Sequence, residues 1–598
     1  MSTAHVPQQP HHLPDATQAP GEPPPTPPHS SEATRLLCAG AYLHPGYRDR
    51  VIEELYVNEH RLVAPSLGFD AARVLAHALR ARRQELLWAA AILGLWVVGM
   101  PLSGWLLVGL VWPSLLLALA PWIRGRGAGQ PLYRVFAAFL ARWWGRVMFA
   151  FWLFLVVGVA FGAGDDDSGS AYDSYDSYGS YGSYDSYGSS GDVFGSSDAG
   201  DALAPFAGLF AEVVEAWQAW FALAVLVLVA LCEAARRGQF ARVLAAELSP
   251  RQFPDVANDP AEQVEGLRFR RLMGLIRREQ HAPLIMYNEA GPFCGAGAPY
   301  DTWVLAVELR PDEDKKQQPL NNRAILDRIR PMLEQLRIPA AYAGTAVRDR
   351  LRRLEIDECV FLPVEGLTGR EQAPYDPEQF EQHRLRAVEE GGEKRRHFLR
   401  VRVGGWEEEL VVTVYVRIHT QGRMLMLEVA PHVLTPVVAE FKDADRTAHK
   451  FRTSNLFGKA VAAVVLVPGS AGRALVTLGR GAVHAWRLLI GGQASALPEG
   501  PALSVRELAS VNTGSTFQEM DVARYLRSVQ DRIGRGVRLA LSEAGYETGE
   551  FVQKIVNISN GAVHIDRVEG STFAIGEHAS ATSGGPGSQK GTASHGKR

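Results

Sequence analysis

Apolar residues along this chain follow two regimes, unbroken runs before Ser249 and short periodic patterns after it. The unbroken runs predict membrane helices. Leu86–Ile123 is almost wholly apolar and too long for one crossing, since about 20 residues span a bilayer core. Pro101, Ser103 and Gly104 interrupt it, so it reads as a tight hairpin with spans near Leu86–Leu102 and Trp105–Ile123. Trp105 and Trp122 suit the two interfaces. Val147–Gly164 predicts a third span, with Pro131–Arg146 either a surface segment or the arginine-anchored foot of that span. Phe206–Leu231 predicts a fourth. Its helical pattern continues to Ser249, where Pro250 stops it. At 1.5 Å per residue this is a stalk of roughly 65 Å.

In the second regime, Glu262–Arg278 and Asn321–Leu336 carry apolar residues at helical spacing. PLIMYN, TWVLAVEL and DECVFLP read as strands. HFLRVRV, EEELVVTVYVRIHT and RMLMLEVAP, separated by glycine turns, predict an antiparallel meander. In its middle strand Val411, Thr413, Tyr415 and Arg417 share one face, and Val412, Val414, Val416 and Ile418 the other. That alternation predicts one face under helices and one partly wet. The fold class expected is a membrane α-helical protein of about four spans, a helical hairpin plus two, with a cytoplasmic α+β domain containing the meander.

Charge orients these elements. No lysine or arginine occurs from Val147 to Ala235, while Arg142, Arg146, Arg236 and Arg237 bracket that stretch. Under the positive-inside rule the blank reads as a translocated loop. Both termini then lie in the cytoplasm, and the protein belongs in the plasma membrane. The loop holds Tyr172, Tyr175, Tyr178, Tyr181, Tyr184 and Tyr187 in a period of three. Without aliphatic residues it has no core to bury, and it reads as a disordered spacer.

The domain plan follows: 1–33 disordered and Pro-rich, with no signal-peptide pattern; 34–83 a cytoplasmic helical segment; 84–164 spans 1–3; 165–205 the outside loop. Residues 206–249 form span 4 and the stalk, 250–450 the α+β domain, and 451–500 a basic apolar segment. Residues 501–582 form a C-terminal helix and a short β-like region, and 583–598 a disordered tail. In 451–500, Lys459, Arg473, Arg480 and Arg487 fall on one seven-residue register beside Trp486. These five residues predict either a helix on the inner leaflet, with its cations near anionic headgroups, or a globular helix with a solvated face. AVAAVVLV before Pro468 is too short for a fifth span.

Catalytic chemistry finds little support. Cys38, Cys232, Cys294 and Cys359 fit no metal or disulfide spacing. Gly291, Gly295 and Gly297 in GPFCGAG could cradle a phosphate, but no helix or P-loop lysine follows. No cofactor or metal is expected, and no enzyme. The net charge of −3 gives no global field for nucleic acid. The partners expected are the bilayer and a cytoplasmic protein or a second copy.

TRLLCAGAYLHPGY (Thr34–Tyr47), NEHRLVAPSLGFD (Asn58–Asp70), GPFCGAG (Gly291–Gly297), LEIDECVFLP (Leu354–Pro363), LVVTVYVR (Leu410–Arg417), MDVARYL (Met520–Leu526) and NGAVHIDRVEGSTFAIGEHA (Asn560–Ala579) together resemble a family of uncharacterised multi-pass membrane proteins of actinobacteria. That resemblance implies no activity and no catalytic residue. The reading is a non-enzymatic sensor or scaffold whose cytoplasmic domain binds a partner or ligand. A transporter or channel component is the alternative, and a membrane-anchored enzyme with an unrecognised site is the third. A cysteine placed at Ser190 should react with an impermeant maleimide in intact cells; reaction only after lysis would invert the topology.

Overall fold

The computed structural model describes residues 26–125, 131–161, 215–263, 266–337, 351, 353–390, 392–406, 409–490, 496–511 and 514–559. The tyrosine repeat, most of the proline-rich start, Phe206–Val214, Asn560–Ala579 and the 583–598 tail lie outside the described residues. Structure begins earlier than 34. Pro28–Ser30 forms a 3-10 turn, and Ser31 caps helix α1 (Glu32–Leu43) by accepting the Thr34 amide. Helix α2 is Pro45–Ile52. Asp70 accepts from the amides of Ala72 and Arg73 and so starts α3, Ala71–Leu102.

α3 joins a helical segment that packs on α1 and α2 to an apolar run in one 32-residue helix. Its first half sits in a core with α1, α2 and the segment around Leu244–Ala261, where Val74, Leu75 and Ala78 are buried. Its second half puts Ala89, Ile92 and Trp96 into a separate apolar core. That second core also takes α4 (Leu106–Arg124), α5 (Leu132–Ala160) and α6 (Ala216–Arg242). The α3–α4 turn needs positive φ at Gly104 and Trp105. A Cβ on Gly104 would come within 2.4 Å of Gln218 Oε1 on α6. Pro131–Arg146 is the foot of α5 rather than a surface segment, because the helix runs unbroken from Leu132.

After α7 (Leu267–Gln280) come β1 (Leu284–Tyr287), β2 (Ala298–Pro299), β3 (Trp303–Glu308), α8 (Asn322–Glu334), β4 (Leu354–Pro363) and α9 (Pro377–Glu390). β5 (Arg396–Gly405), β6 (Leu410–Gln421) and β7 (Met424–Leu434) follow and pair antiparallel in sequence order. The seven-stranded sheet is mixed: β1 lies parallel to β4, and β2 and β3 both pair with β7. Val412, Val414, Val416 and Ile418 face α8 and α14 (Thr516–Glu543). The other face is not wet. Tyr415 is buried there under Phe293 of the glycine-rich loop.

Between β7 and α14 the chain returns to the apolar helices. Helices α10 (Ala439–Lys442) and α11 (Ala444–Thr453) lead into α12 (Leu456–Val464), a 3-10 turn at Val467–Gly469, and α13 (Ser470–Ile490). Among the described residues Leu456–Ile490 is one of five helical stretches long and apolar enough to cross a membrane, the others being α3, α4, α5 and the run from α6 to Glu247. The segment read either as a leaflet helix or as a globular helix with a solvated face is a helix–turn–helix hairpin, with α12 against α6 and α13 against α3 and α4. Pro468 and Gly469 turn the apolar run without ending it. Further on, the expected short β-like region is partly helix α15 (Gly549–Ser559).

Helix α14 lies so close to α8 that a Cβ on Gly536 would stand 2.7 Å from Ile329 Cα. Gly274 in α7 has open space around it. Gly536→Ala should therefore lower stability by about 1–3 kcal/mol, and Gly274→Ala should raise it by roughly 0.5–1 kcal/mol. Thermal unfolding of the detergent-solubilised chain reads both signs.

Candidate functional site

The hairpin begins and ends at the same end of the helix layer. Ser470, at the tip, accepts from Trp96 Nε1 at 3.2 Å, and the Gly472 amide donates to Ser114 Oγ at 3.0 Å. From there α13 runs back along α3. Gly481 lies against Leu86, His484 Nδ1 is 3.2 Å from Arg82, and Arg487 pairs with Glu53 at 3.0 Å. On the other limb, Phe451 lies beside Gly238, and Arg237 donates to the Ala462 carbonyl at 3.3 Å. The first limb thus lies beside Gly238 and Arg237 of α6, and the second ends beside Arg82 and Glu53 near the start of α3. The tip reaches only the middle of α4, since Ser114 stands near the centre of Leu106–Arg124. With nine residues, α12 rises about 14 Å.

The five sequence candidates do not form one stripe of ligands. Arg473 leaves the register inward and meets Glu233 of α6 at 3.0 Å. That glutamate is only 1% exposed and also holds Arg236 at 2.8 Å. Arg473 donates a second bond to the Leu466 carbonyl at 2.6 Å, across the hairpin turn. Lys459 stands 5.2 Å over the Phe451 ring, a cation–π contact. Arg487 is paired with Glu53, and the Arg480 carbonyl lies 2.8 Å from His484 Nδ1. Trp486 is exposed.

Glu233 was the residue to notice. It is a carboxylate set directly before Arg236 and Arg237 in an apolar helix. Its i, i+3 spacing to Arg236 was legible. Its partner 240 positions away was not. Glu233 is buried while Arg473 is partly exposed, and Arg236 stays on Glu233 when Arg473 is lost, so removing Glu233 is the costlier of the two changes.

A second site lies in the glycine-rich loop. Gly295 and Gly297 have φ of +99° and +98°. Both amides donate to Glu507 Oε1, each at 2.8 Å. Two backbone amides thus converge on one carboxylate, so the anion that the GPFCGAG loop holds is the chain's own Glu507. Space also demands glycine, since a Cβ on Gly297 would be 2.3 Å from the Val433 carbonyl. Beneath the loop Phe293 packs on His432 and Tyr415 with ring centroids at 4.6 Å and 4.9 Å. Burial pushes the His432 pKa down to about 4, so its ring stays neutral in this aromatic cluster. Burial likewise pushes the Cys294 thiol well above its ordinary range, which makes it a poor nucleophile.

The third concentration of charge is at Glu358 on β4. Arg384 reaches it at 2.8 Å, Arg323 at 3.0 Å, His397 at 3.1 Å and Arg330 at 3.4 Å. Burial alone would raise this carboxyl, but His397 and Arg384 hold it down at about 2. It is an ionised hub binding α8, α9 and β5 to β4. Among the described residues no group of three or more His, Cys, Asp or Glu side chains could hold a metal ion.

Residues 302–573 match the AbeC-like domain family. The matched stretch starts at β3 and runs through the hairpin to beyond α15, so it holds β3–β7 and the returning apolar helices but not β1 and β2. The helices α1–α6 and the glycine-rich loop precede it. Comparison with curated proteins and with solved structures gives no significant match.

Because Arg473 and Glu233 share one contact, Arg473→Gln and Glu233→Gln should each destabilise. The double variant should cost less than their sum, with a coupling of about 1–3 kcal/mol. Unfolding temperatures of the four proteins give the cycle, and strict additivity would mean the pair carries no energy.

Proposed function

We propose that this chain is a multi-pass protein of the plasma membrane, of the actinobacterial kind its motifs resemble. In this reading α3, α4, α5 and α6 cross the bilayer, both termini are cytoplasmic, and 456–490 is a re-entrant hairpin that enters and leaves on the cytoplasmic side. Two facts support a hairpin over a fifth crossing. Its first limb lies beside Gly238 and Arg237 and its second ends beside Arg82 and Glu53, all toward the arginine-flanked ends of α3 and α6, and its tip is held by hydrogen bonds to Trp96 and Ser114. Irregular backbone at membrane depth is tolerated where other helices cover it.

The function proposed is a non-enzymatic sensor or scaffold. The observation that carries it is the double use of α3, whose one half is core to the soluble part and whose other half is core to the apolar helices. A rigid helix shared in this way moves both cores together, and the hairpin couples the sheet to the same bundle. A change in the bilayer and a partner on the sheet domain would bias one element. The partner is a cytoplasmic protein, a ligand or a second copy. Phe517 and Met520, exposed on the first turns of α14, suit an apolar contact.

Transport is the second reading, favoured by one observation. Glu233 and Arg473 are an ionised pair inside the apolar layer beside an interrupted helix, the setting in which coupled sites are built. A photo-crosslinking residue at Phe517 or Met520 of the full chain should capture a discrete protein adduct in cells, lost on Phe517→Ser. No adduct at either position, together with ion or solute flux in proteoliposomes abolished by Glu233→Gln, would replace the scaffold reading with transport.

A further inference from the structure

A cleft between α3 and α6 lies where the apolar run of α3 begins. Two cross-links bound it. Trp88 Nε1 donates to Gln239 Oε1 at 2.6 Å, and the Arg80 guanidinium holds the Glu247 carboxylate, Nη2 to Oε1 at 3.0 Å. Between them is an open-sided cavity of about 440 Å³, lined also by Gln84, Arg242 and Ala246. Arg80, Gln84 and Trp88 recur every four residues and so share one stripe of α3.

The chemistry of the lining is specific. Arg80 is neutralised by Glu247. Arg242 has no carboxylate within ion-pair distance among the described residues, and its Nε donates only to the Gly238 carbonyl at 3.3 Å. The cleft therefore carries one uncompensated positive charge. Gln84 lines the cleft, and its Oε1 is buried with no donor; a buried acceptor without a partner is costly. A ligand that satisfies both groups carries an anionic oxygen for Arg242 and a hydroxyl or amine for Gln84. Toward the apolar end, Trp88 and Ala235 add a nonpolar wall, which free phosphate would leave bare.

The geometry points to the headgroup of an anionic phospholipid as the occupant, with its phosphate on Arg242, its polar alcohol on Gln84 and its glycerol end against Trp88. The assignment rests on the membrane reading above, because it needs this level of the bundle at the bilayer surface. The dimensions agree. From Arg80 to Trp88 the helix rises about 12 Å, enough to cross a headgroup layer on the order of 5–8 Å deep. Leu86 and Leu87 open the apolar run beside it. Trp88 is thus the interfacial aromatic of this helix.

The test uses the full chain, delipidated in neutral detergent. Calorimetry would follow dihexanoyl phosphatidylglycerol, dihexanoyl phosphatidylcholine and inorganic phosphate. Phosphatidylglycerol should bind about tenfold tighter than either of the others. Arg242→Ala should lose about tenfold, while Arg242→Lys keeps most of the affinity and Arg487→Ala all of it. Equal binding of the two lipids, or phosphate binding as well as phosphatidylglycerol, overturns the assignment. If Arg242→Ala misfolds, Gln84→Leu decides without changing charge. It should narrow the preference for phosphatidylglycerol over phosphatidic acid, which lacks the alcohol, and an unchanged preference counts against the site. Membrane placement is read separately in proteoliposomes. Ala246→Cys should react with an impermeant maleimide and Leu228→Cys should not. Equal labelling removes the membrane reading itself, whereas correct labelling without lipid preference removes only this site.

Discussion

One buried contact sets the frame of the molecule. Asp259 takes hydrogen bonds from Arg73 at 2.7 Å and from His77 at 3.0 Å, both on the first turns of α3. Burial by itself would raise this carboxyl, yet His77 and Arg73 hold it well below the ordinary range, so it stays ionised. Arg73 is also stacked on Phe253 at 3.7 Å. The chain leaving α6 is thereby tied to the base of α3. Since α3 continues into the apolar bundle, this attachment sets where the core of α1, α2 and the base of α3 sits relative to the long apolar helices. Desolvated charge pairs of this kind are weak sources of net stability. Their consequence is positional, because any other packing would strand Asp259 unpaired.

A second constraint acts from the far side. The sheet domain returns to the bundle through α12 and α13 instead of hanging from α6 alone. Arg473 on Glu233, Ser470 on Trp96 and the Gly472 amide on Ser114 attach the hairpin to α6, α3 and α4 in turn. The AbeC-like stretch includes that hairpin. The sheet is therefore bonded to the apolar layer at two places far apart in sequence. A two-point attachment transmits displacement where a single stalk would swivel, and the proposed sensor or scaffold reading rests on that.

Much of this was legible in the residues. The strands of the sheet announced themselves through alternation in Leu410–Ile418 and through the glycine turns around them. Asp70 declared the start of α3, and the Pro101–Gly104 break declared the α3–α4 turn. The hairpin was not legible as such. Pro468-Gly469 stops an apolar run in the same way whether the chain leaves the layer or doubles back within it, and AVAAVVLV alone is short for a span. The seven-residue spacing of Lys459, Arg473, Arg480 and Arg487 crosses the Val467–Gly469 turn, so Lys459 stands on a different helix from the other three, and Arg473 turns to Glu233. GPFCGAG carried the conformational freedom of an anion-holding loop, while its anion, Glu507, lies more than 200 residues away.

By itself, then, the sequence determined which segments are helix, strand or turn, which runs are apolar enough for a bilayer, and where cationic residues bracket them. Those properties are local, set by side-chain period, backbone freedom and transfer energy over a few turns. Only the tertiary structure decided that α3 serves two cores, that 456–490 doubles back among the apolar helices, and that Arg473, Glu507 and Arg82 find partners hundreds of positions away. Pairings at that separation depend on how the whole set of helices closes on itself. A buried charge or amide takes whichever partner the packing brings to hydrogen-bond distance, and no window of sequence contains that choice.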